Sequence, residues 1–366
     1  MSVDLAAVFA QFGDAYRTHA HLNADQQRAL HAVLACRTPA LGLQRHRCDH
    51  CAFEHHLYRS CRNRHCPKCQ GAVRAAWVAD RCEDVLEVPY FHLVFTLPHE
   101  LNALARAQPR QTYARLFDVA WHTLRSLARD RLGGELGMTA VLHTWGQTLT
   151  QHVHLHCLIA GGAFDARKGR WQRVRSRYLV PVKVMQRLFR GRMVSALRLA
   201  AAALPLPAER LDALLDALMS KTWSVYAKPV LGHPHQLLDY LGRYTYRIAI
   251  GNERLLALSD TQVSFRYRDH RDGGKHKVMA LDGAEFMRRY LQHVVPRGFM
   301  RVRHFGFLGN RVRRKTLARI RALLPPRQAL RVAVRPASAQ EHRCPQCGVG
   351  MLRFVAHTER TLIDSS

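Results

Sequence analysis

The sequence has 366 residues, and its 56 Lys or Arg against 27 Asp or Glu give a formal net charge of +29. This length allows a substantial core in two or three domains, and the charge favours a polyanionic partner. No apolar run could span a bilayer, and Asp4 stands where a signal peptide would be basic, which excludes a membrane protein and predicts a cytoplasmic one. The ten cysteines then indicate metal binding rather than disulfides.

Two C-x-x-C motifs follow an N-terminal region, residues 1–35, whose apolar spacing predicts helices. Fourteen residues separate the two motifs, a pattern typical of a structural zinc site with four thiolates. Cys61 lies between the motifs and remains an alternative to Cys66. The predicted zinc ligands are Cys48, Cys51, Cys66 and Cys69.

A histidine-rich strand is predicted at residues 151–162. His152, His154 and His156 alternate with apolar residues, so the three imidazoles share one face of the strand. Two imidazoles on one face can chelate a divalent metal, although polar strand residues that face solvent would show the same alternation. Residues 138–145 read as a second strand, and the turn at residues 146–151 predicts that the two form a hairpin. Another strand is predicted at residues 90–98, after a helix at residues 77–88.

A helix predicted to start at Pro234 carries Tyr240 and Tyr244, which are four residues apart and share one helical face. Two tyrosines at this spacing are more often packing residues than nucleophiles. The spacing alone therefore does not assign them chemistry.

The C-terminal third is strongly basic. Between Glu285 and Glu341 there is no acidic residue, which favours contact with a phosphate backbone over a merely solvated surface. Phenylalanines 299, 305 and 307 lie among these arginines and suit either base stacking or a core strand with a basic face. Further on, Cys344 and Cys347 form half a zinc motif, and His342 and His357 are the nearby candidate partners.

In combination, these motifs resemble the transposases of the insertion-sequence-91 family, two-tyrosine members of the HUH endonuclease group. The resemblance extends over roughly residues 10–350, and the order of the motifs is more specific than any one of them. The matching motifs are Cys61-Arg62-Asn63-Arg64-His65-Cys66-Pro67-Lys68-Cys69, Phe95-Thr96-Leu97-Pro98, His154-Leu155-His156, Tyr240-Leu241-Gly242-Arg243-Tyr244, Pro296-Arg297-Gly298-Phe299 and Arg301-Val302-Arg303.

The resemblance implies rolling-circle transposition through single-stranded DNA at transposon ends and target sites. It assigns a catalytic metal to His154 and His156, and it makes Tyr240 and Tyr244 the nucleophiles that form 5′-phosphotyrosine. His152 then either supports the metal ligands without binding the ion or is purely structural. The predicted DNA-binding residues are Arg243, Arg247, Arg301, Arg303, Arg311, Arg313, Arg314 and Lys315.

The catalytic ion implied by the family is Mg²⁺ or Mn²⁺. Imidazole ligands alone would favour zinc or manganese, because magnesium prefers oxygen ligands. Two imidazoles fill only part of a coordination shell, so we expect a third ligand. Gln147, seven residues upstream of His154, is the first choice, because related replication initiators place a carboxylate or amide donor there. Gln236 and His143 are the alternatives.

The resemblance predicts an α+β fold, with an HUH-type antiparallel sheet that carries the histidines on a central strand and a tyrosine helix packed across its face. We predict four parts: a helical and zinc-binding domain at residues 1–88, a catalytic domain at 89–256, a basic DNA-binding region at 257–335 and a tail at 336–366.

Two other functions fit parts of this pattern. A rolling-circle replication initiator would use the same chemistry, but the zinc motifs and the long basic C-terminal region argue against it. A zinc-dependent DNA-binding regulator without catalysis would bind a structural metal at the histidines and bury both tyrosines. A covalent protein–DNA adduct would distinguish the enzymes from the regulator.

Overall fold

The computed structural model describes residues 3–174, 179–230, 249–325 and 343–358. The predicted α+β class is confirmed, and none of the described helices is both long enough and apolar enough to cross a membrane. The described α-helices are α1 (Leu5–His19), α2 (Ala24–Ala35), α3 (Pro67–Cys82), α4 (Asn102–Ala107), α5 (Pro109–Leu132), α6 (Val182–Leu199), α7 (Ala208–Ser220), α8 (Gly283–Leu291) and α9 (Arg313–Arg321).

The strands in the same part of the chain form four separate antiparallel sheets. They are β1 (Leu43–Cys48), β2 (Glu54–Tyr58), β3 (Tyr90–Thr96), β4 (Gly137–Trp145), β5 (Gln151–Ala160), β6 (Gly162–Asp165), β7 (Arg170–Arg173), β8 (Val225–Val230), β9 (Leu255–Leu258), β10 (Gln262–Asp269), β11 (Lys275–Asp282), β12 (Val302–Gly306) and β13 (Leu352–Thr358).

Polar side chains fix the start of the first two helices. The Asp4 carboxylate accepts a hydrogen bond from the Ala7 amide at the start of α1. At the start of α2, Asn23 and Gln26 form a reciprocal capping box, in which each side chain accepts from the other's backbone amide. Such caps pair the amides that a first helical turn leaves open. The helices predicted within residues 1–35 are confirmed.

The chain is organised as two compact units. One unit comprises Met1–Val73, Ile250–Val294 and Leu330–Ser366, and the other comprises Arg74–Ala249 and Val295–Ala329. Each unit is therefore assembled from segments that are distant in sequence. The division into four parts at residues 88, 256 and 335 stays a prediction.

The larger unit is built on a five-stranded antiparallel sheet with the order β12-β4-β5-β3-β8. One face of this sheet carries apolar side chains such as Leu155 and Phe95, which belong to a buried core together with residues of α5 and α6. Phe95 contacts Phe189 of α6 edge to face, at a ring-centroid distance of 4.9 Å. The face with the histidines lies opposite to this core, as the alternation of residue types predicts.

The predicted hairpin of β4 and β5 is confirmed, and its register places His143 directly opposite His154. Residues that face each other across antiparallel strands point to the same side of the sheet. On the other side of β5, strand β3 pairs Val94 with His156 and Thr96 with His154. The histidine strand is therefore central in the sheet, as predicted.

The smaller unit contains two three-stranded sheets. The β9-β10-β11 sheet includes a hairpin of β10 and β11 that turns near residue 273, and its Phe265 contacts Phe286 of α8 edge to face. Tyr290 of α8 packs in turn against Phe9 of α1, with ring centroids 5.4 Å apart. In the second sheet, with the order β13-β1-β2, the C-terminal strand pairs with one close to the start of the chain, so that Leu352 lies opposite Cys48.

Both predicted boundaries of the helix at residues 77–88 are wrong. Helix α3 begins at Pro67 and ends at Cys82. Proline is favoured in the first turn of a helix because it has no amide hydrogen to leave unpaired. Beyond the helix, Val85, Leu86 and Val88 are buried in a second core of the larger unit. Their apolar character reflects that burial rather than a continued helix.

Candidate active site, zinc centres and DNA-binding residues

Three buried histidines of the β4–β5 hairpin converge on one face of the five-stranded sheet. Ring nitrogens of His143, His154 and His156 lie within 4.8 Å of one another. The Nε2 atoms of His154 and His156 are 3.2 Å apart. Two nitrogens that bind one ion at about 2.1 Å lie about 3 Å apart, so the spacing fits a shared divalent cation.

A backbone contact orients the His154 ring. Its Nδ1 donates a hydrogen bond to the His152 carbonyl oxygen at 2.7 Å, and a carbonyl can only accept. The proton of the neutral ring is therefore on Nδ1, and the lone pair of Nε2 is directed toward His156. Burial lowers the pKa of His154 to about 4, so the ring is neutral at physiological pH, the form that binds metals.

His92, on β3, holds the second histidine of the pair. Its Nε2 lies 2.9 Å from Nδ1 of His156, and the two rings are nearly parallel. If Nε2 of His156 faces an ion, its Nδ1 carries the proton and donates to His92. Partners of this kind fix the orientation of ligand histidines in metal sites.

The third nitrogen donor of the cluster is His143. The prediction from the sequence prefers Gln147 to His143 as the third metal ligand. His143 shares the face of the sheet with His154 because the two lie opposite each other in the hairpin. Gln147 lies beyond the end of β4, in the turn that Gly146 and Thr150 close with a backbone hydrogen bond. Its assignment as a ligand stays a prediction, and Gln236 lies outside the described residues.

We expect His92→Ala to weaken Mn²⁺ binding by roughly 10- to 100-fold, because His156 loses the group that orients it. Isothermal titration calorimetry of the purified protein with Mn²⁺ measures this directly. His92→Gln should retain most of the affinity, since its amide oxygen can accept from Nδ1 of His156. Equal affinities of His92→Ala and wild type would show that His92 does not position His156.

The N-terminal cysteines form two separate clusters. In the first, the sulfurs of Cys36, Cys61, Cys66 and Cys69 lie within 4.8 Å of one another. The Cys69 sulfur is 3.5 Å from that of Cys36 and 3.6 Å from that of Cys61. Four thiolates at about 2.3 Å from a tetrahedral ion are about 3.8 Å apart, so this cluster fits zinc. A hydrogen bond from Cys61 lowers the pKa of Cys66 to about 5.

The second cluster contains Cys48, Cys51, Cys344 and Cys347, again with sulfurs within 4.8 Å of one another. The predicted set of Cys48, Cys51, Cys66 and Cys69 around one ion is therefore wrong in its grouping, because each C-x-x-C motif lies with different partners. Cys344 and Cys347 complete their cluster with the first motif, and His357 is hydrogen-bonded to Arg59 instead. His342 lies outside the described residues.

The predicted set of zinc ligands does not include two cysteines of the first cluster, Cys36 and Cys61. Cys36 directly follows α2 and has no second cysteine nearby in sequence to form a motif. Cys61 was the alternative to Cys66, but both sulfurs belong to the same cluster. The sequence signal that could have indicated two zinc sites was the number of cysteines, because two sites with four cysteine ligands each require eight cysteines.

The basic residues predicted to bind DNA have different environments. Arg311, Arg314 and Lys315, at the start of α9, are exposed and can reach a phosphate backbone. Arg313 forms an ion pair with Asp84 at 3.1 Å and is only 18% exposed. Arg243 and Arg247 lie outside the described residues.

Arg301 and Arg303 have packing environments that argue against direct DNA contact. Arg301 is only 9% exposed. The Arg303 guanidinium lies 4.5 Å from the ring centroid of Phe117 and 5.2 Å from that of Phe299. Cations over aromatic rings are stabilised by the negative ring faces. Phe299 and Phe307 are buried as well, which favours the core reading of these phenylalanines over base stacking.

The two predicted nucleophiles, Tyr240 and Tyr244, lie in residues 231–248, outside the described part of the chain. This segment directly follows β8, an edge strand of the sheet that carries the histidines. Their role stays a prediction.

Comparison with known proteins decides the family. Residues 137–316 match the family described as "Putative transposase", and residues 8–97 match the "Transposase zinc-binding domain". Over 334 residues, 88% of this chain and 84% of the relative, the sequence is 43% identical to the "Putative transposase y4qJ" of Sinorhizobium fredii. It is also 28% identical over 289 residues to the "Transposase for insertion sequence element IS801" of Pseudomonas savastanoi pv. phaseolicola, covering 76% of this chain and 69% of that one. The chain belongs to the insertion-sequence-91 family of transposases.

Membership makes this transposase a DNA-cutting and DNA-joining enzyme with DNA as its partner. The matched zinc-binding domain and the cysteine clusters together support structural zinc in the transposase. No solved structure matches the sequence.

Proposed function

We propose that this transposase nicks and rejoins single-stranded DNA at transposon ends and target sites through 5′-phosphotyrosine intermediates, as in rolling-circle transposition. Tyr240 and Tyr244 are the proposed nucleophiles. The proposed place of action is the cytoplasm, at the nucleoid.

The observation that carries this proposal is the convergence of His143, His154 and His156 on one sheet face. Three imidazoles suit a divalent cation and leave part of its coordination shell open to phosphate oxygens. A bound Mn²⁺ or Mg²⁺ there supplies a Lewis acid that polarises the scissile phosphate. Because all three donors are nitrogens, we expect Mn²⁺ to bind more tightly than Mg²⁺.

The protein contributes the nucleophile itself. A tyrosine hydroxyl has an ordinary pKa near 10 and attacks weakly unless the phosphate is activated. Attack forms a bond between the phenolic oxygen and phosphorus and breaks the bond to the 3′ oxygen, which takes up the proton and leaves as a 3′-hydroxyl. The new ester preserves the energy of the broken bond, so that a later 3′-hydroxyl can displace the tyrosine and rejoin the strands. Two tyrosines allow a second cleavage while the first adduct persists.

An oligonucleotide experiment tests the proposal. Single-stranded oligonucleotides that tile the DNA on both sides of the coding sequence are incubated with the full-length protein and Mn²⁺, then separated under denaturing conditions. We expect an oligonucleotide labelled at its 3′ end to remain attached to protein, and one labelled at its 5′ end to release a shorter free fragment. Peptide mapping should locate the adduct at residue 240 or 244.

The outcomes separate the competing functions. Attachment of the 5′-labelled fragment would mean the opposite polarity of cleavage, and it would contradict the proposal. Equal reaction of the matching duplexes would contradict the preference for single strands. Binding without any adduct on any oligonucleotide would favour the DNA-binding regulator.

A further inference from the structure

The two cysteine motifs of the second cluster fold alike. The Cys48 amide donates to the carbonyl oxygen of Phe53 at 2.9 Å, and the Cys344 amide donates to that of Gly350 at 2.7 Å. Each hydrogen bond closes a tight turn around its C-x-x-C sequence. The chain thus forms two matching knuckles, the form in which zinc sites hold pairs of thiolates.

Backbone amides point at the sulfurs of both knuckles. The amide of Cys51 lies 3.4 Å from the Cys48 sulfur, and that of Gly350 lies 3.3 Å from the Cys347 sulfur. Hydrogen bonds to the charged form of a group stabilise it, so these amides favour the thiolates that bind metal.

Distances between the knuckles fit a tetrahedral ion. The sulfurs of Cys48 and Cys347 are 3.8 Å apart, and those of Cys51 and Cys344 are 3.6 Å apart. A tetrahedral site with metal–sulfur bonds of about 2.3 Å requires about 3.8 Å between sulfurs. A disulfide would require about 2.05 Å. Each close pair joins one knuckle to the other, as shared coordination requires.

Polar contacts also join the knuckles. The Asp49 amide donates to the carbonyl oxygen of Met351, and the Met351 amide donates back to the Asp49 carboxylate at 2.7 Å. Arg353 forms an ion pair with the same carboxylate at 3.1 Å. The knuckles are thus held face to face by groups other than the thiols.

Gly350 allows the two knuckles to approach closely. A Cβ atom at this position would lie 2.4 Å from the Cys48 sulfur and 2.6 Å from Cβ of His50. Real Cβ atoms do not come so close to another heavy atom, so a side chain here would displace the sulfur.

We infer that a second zinc ion is bound by Cys48, Cys51, Cys344 and Cys347, separate from the ion bound by Cys36, Cys61, Cys66 and Cys69. This second ion fastens the C-terminal strand β13 to the N-terminal strand β1. Two of its four ligands lie outside residues 8–97, the part that matches the zinc-binding domain. The partners Cys48 and Cys347 are 299 positions apart in sequence. Bringing such distant segments together costs chain entropy, which metal coordination offsets.

Zinc counting by native mass spectrometry tests this inference on the full-length protein purified with zinc. The parent for all variants carries His154→Ala/His156→Ala, so that the histidine cluster, whose imidazoles also suit zinc, adds no ion of its own. We expect two zinc ions per chain in this parent and one when Cys344→Ser/Cys347→Ser is added. Cys157→Ala should keep two, because Cys157 is buried in the core of the larger unit and belongs to neither cysteine cluster. One ion in the parent, or two after Cys344→Ser/Cys347→Ser is added, would overturn the inference.

A second variant keeps every thiol. In the same His154→Ala/His156→Ala parent, Gly350→Ala should release one of the two zinc ions to a chelator about 10-fold faster than the parent or more, because the new methyl group displaces the Cys48 sulfur. Gly71→Ala is the matched control, since a Cβ there meets nothing within 4 Å. Equal release from Gly350→Ala and Gly71→Ala would contradict the inference.

Hydrogen exchange provides a readout independent of metal counting. In Cys344→Ser/Cys347→Ser, the amides of β13 and β1 should lose protection, while those of β4 and β5 in the other unit should keep it. Unchanged protection of β13 would show that no metal fastens the strand. A loss of protection throughout both units would contradict a local role for the site.

Discussion

We expect His154→Ala to reduce nicking of single-stranded transposon ends on the order of 10³-fold or more, because the proposed catalytic cation would lose one of its ligands. Metal activation of a phosphate contributes several kcal/mol to transition-state stabilisation, and about 4 kcal/mol corresponds to 10³-fold in rate. Single-turnover nicking at saturating protein measures the effect. DNA binding, measured separately by anisotropy, should change little, because the substitution leaves the exposed basic residues of α9 intact.

His152→Ala is the matched control for this prediction. Its side chain is outside the cluster of three histidines. Alanine removes a ring that lies 4.9 Å from the His154 ring, centroid to centroid, but it retains the backbone carbonyl that accepts the hydrogen bond from Nδ1 of His154. Nicking should therefore remain within a few-fold of wild type. If His152→Ala and His154→Ala were equally impaired, or both remained active, the histidine site would not be the catalytic centre.

We expect Tyr240→Phe/Tyr244→Phe to form no covalent adduct with DNA, because phenylalanine keeps the ring and removes only the attacking oxygen. Tyr240→Phe alone should abolish nicking of the end oligonucleotide that wild type cleaves. The assay is the denaturing separation of 3′-labelled product, with the loss expected to exceed about 10³-fold. Circular dichroism should show an unchanged fold.

Tyr226→Phe provides a demanding control. Tyr226 is partly exposed on β8, and its ring centroid lies 6.1 Å from that of His92, close to the histidine cluster. It should form adducts at the wild-type level. Loss of the adduct in Tyr226→Phe, with retention in the double variant, would move the nucleophile to β8 and refute the assignment to Tyr240 and Tyr244.

Local patterns in the sequence were enough to predict the histidine face. The alternation of His154, Leu155 and His156 has the period of a strand, and the short turn before it specifies a hairpin. The third donor required more, since it depends on the exact register that sets His143 opposite His154. A ranking by position in the turn favoured Gln147, which lies beyond the paired part of β4.

The cysteine grouping could not be predicted from spacing. A C-x-x-C motif shows that two thiolates share an ion, but it does not reveal which other motif completes the site. Here the partners of Cys48 lie about 300 positions away, brought close by the pairing of β1 with β13. Cys36 has no motif at all and joins its cluster only because α2 ends beside the turn before α3.

Charge composition similarly overstates the surface available to DNA. The basic stretch has no acidic residue of its own, yet Arg313 forms an ion pair with Asp84, which is distant from it in the sequence. The Arg303 guanidinium lies against the rings of Phe117 of α5 and Phe299. Such partners cannot be seen from residue counts, because tertiary packing supplies them.

The pairing of β1 with β13 sets an order of assembly during protein synthesis. Cys51 and Cys344 are 293 positions apart, so ribosomes that add about 5–20 residues per second complete the second knuckle roughly 15–60 s after the first. During that interval, the first knuckle lacks the second knuckle, and one edge of β1 lacks its pairing with β13. Copies of the gene with a stop codon before Cys344 would leave both permanently without partners, so only translation through the C-terminal motif and β13 yields the complete three-stranded sheet.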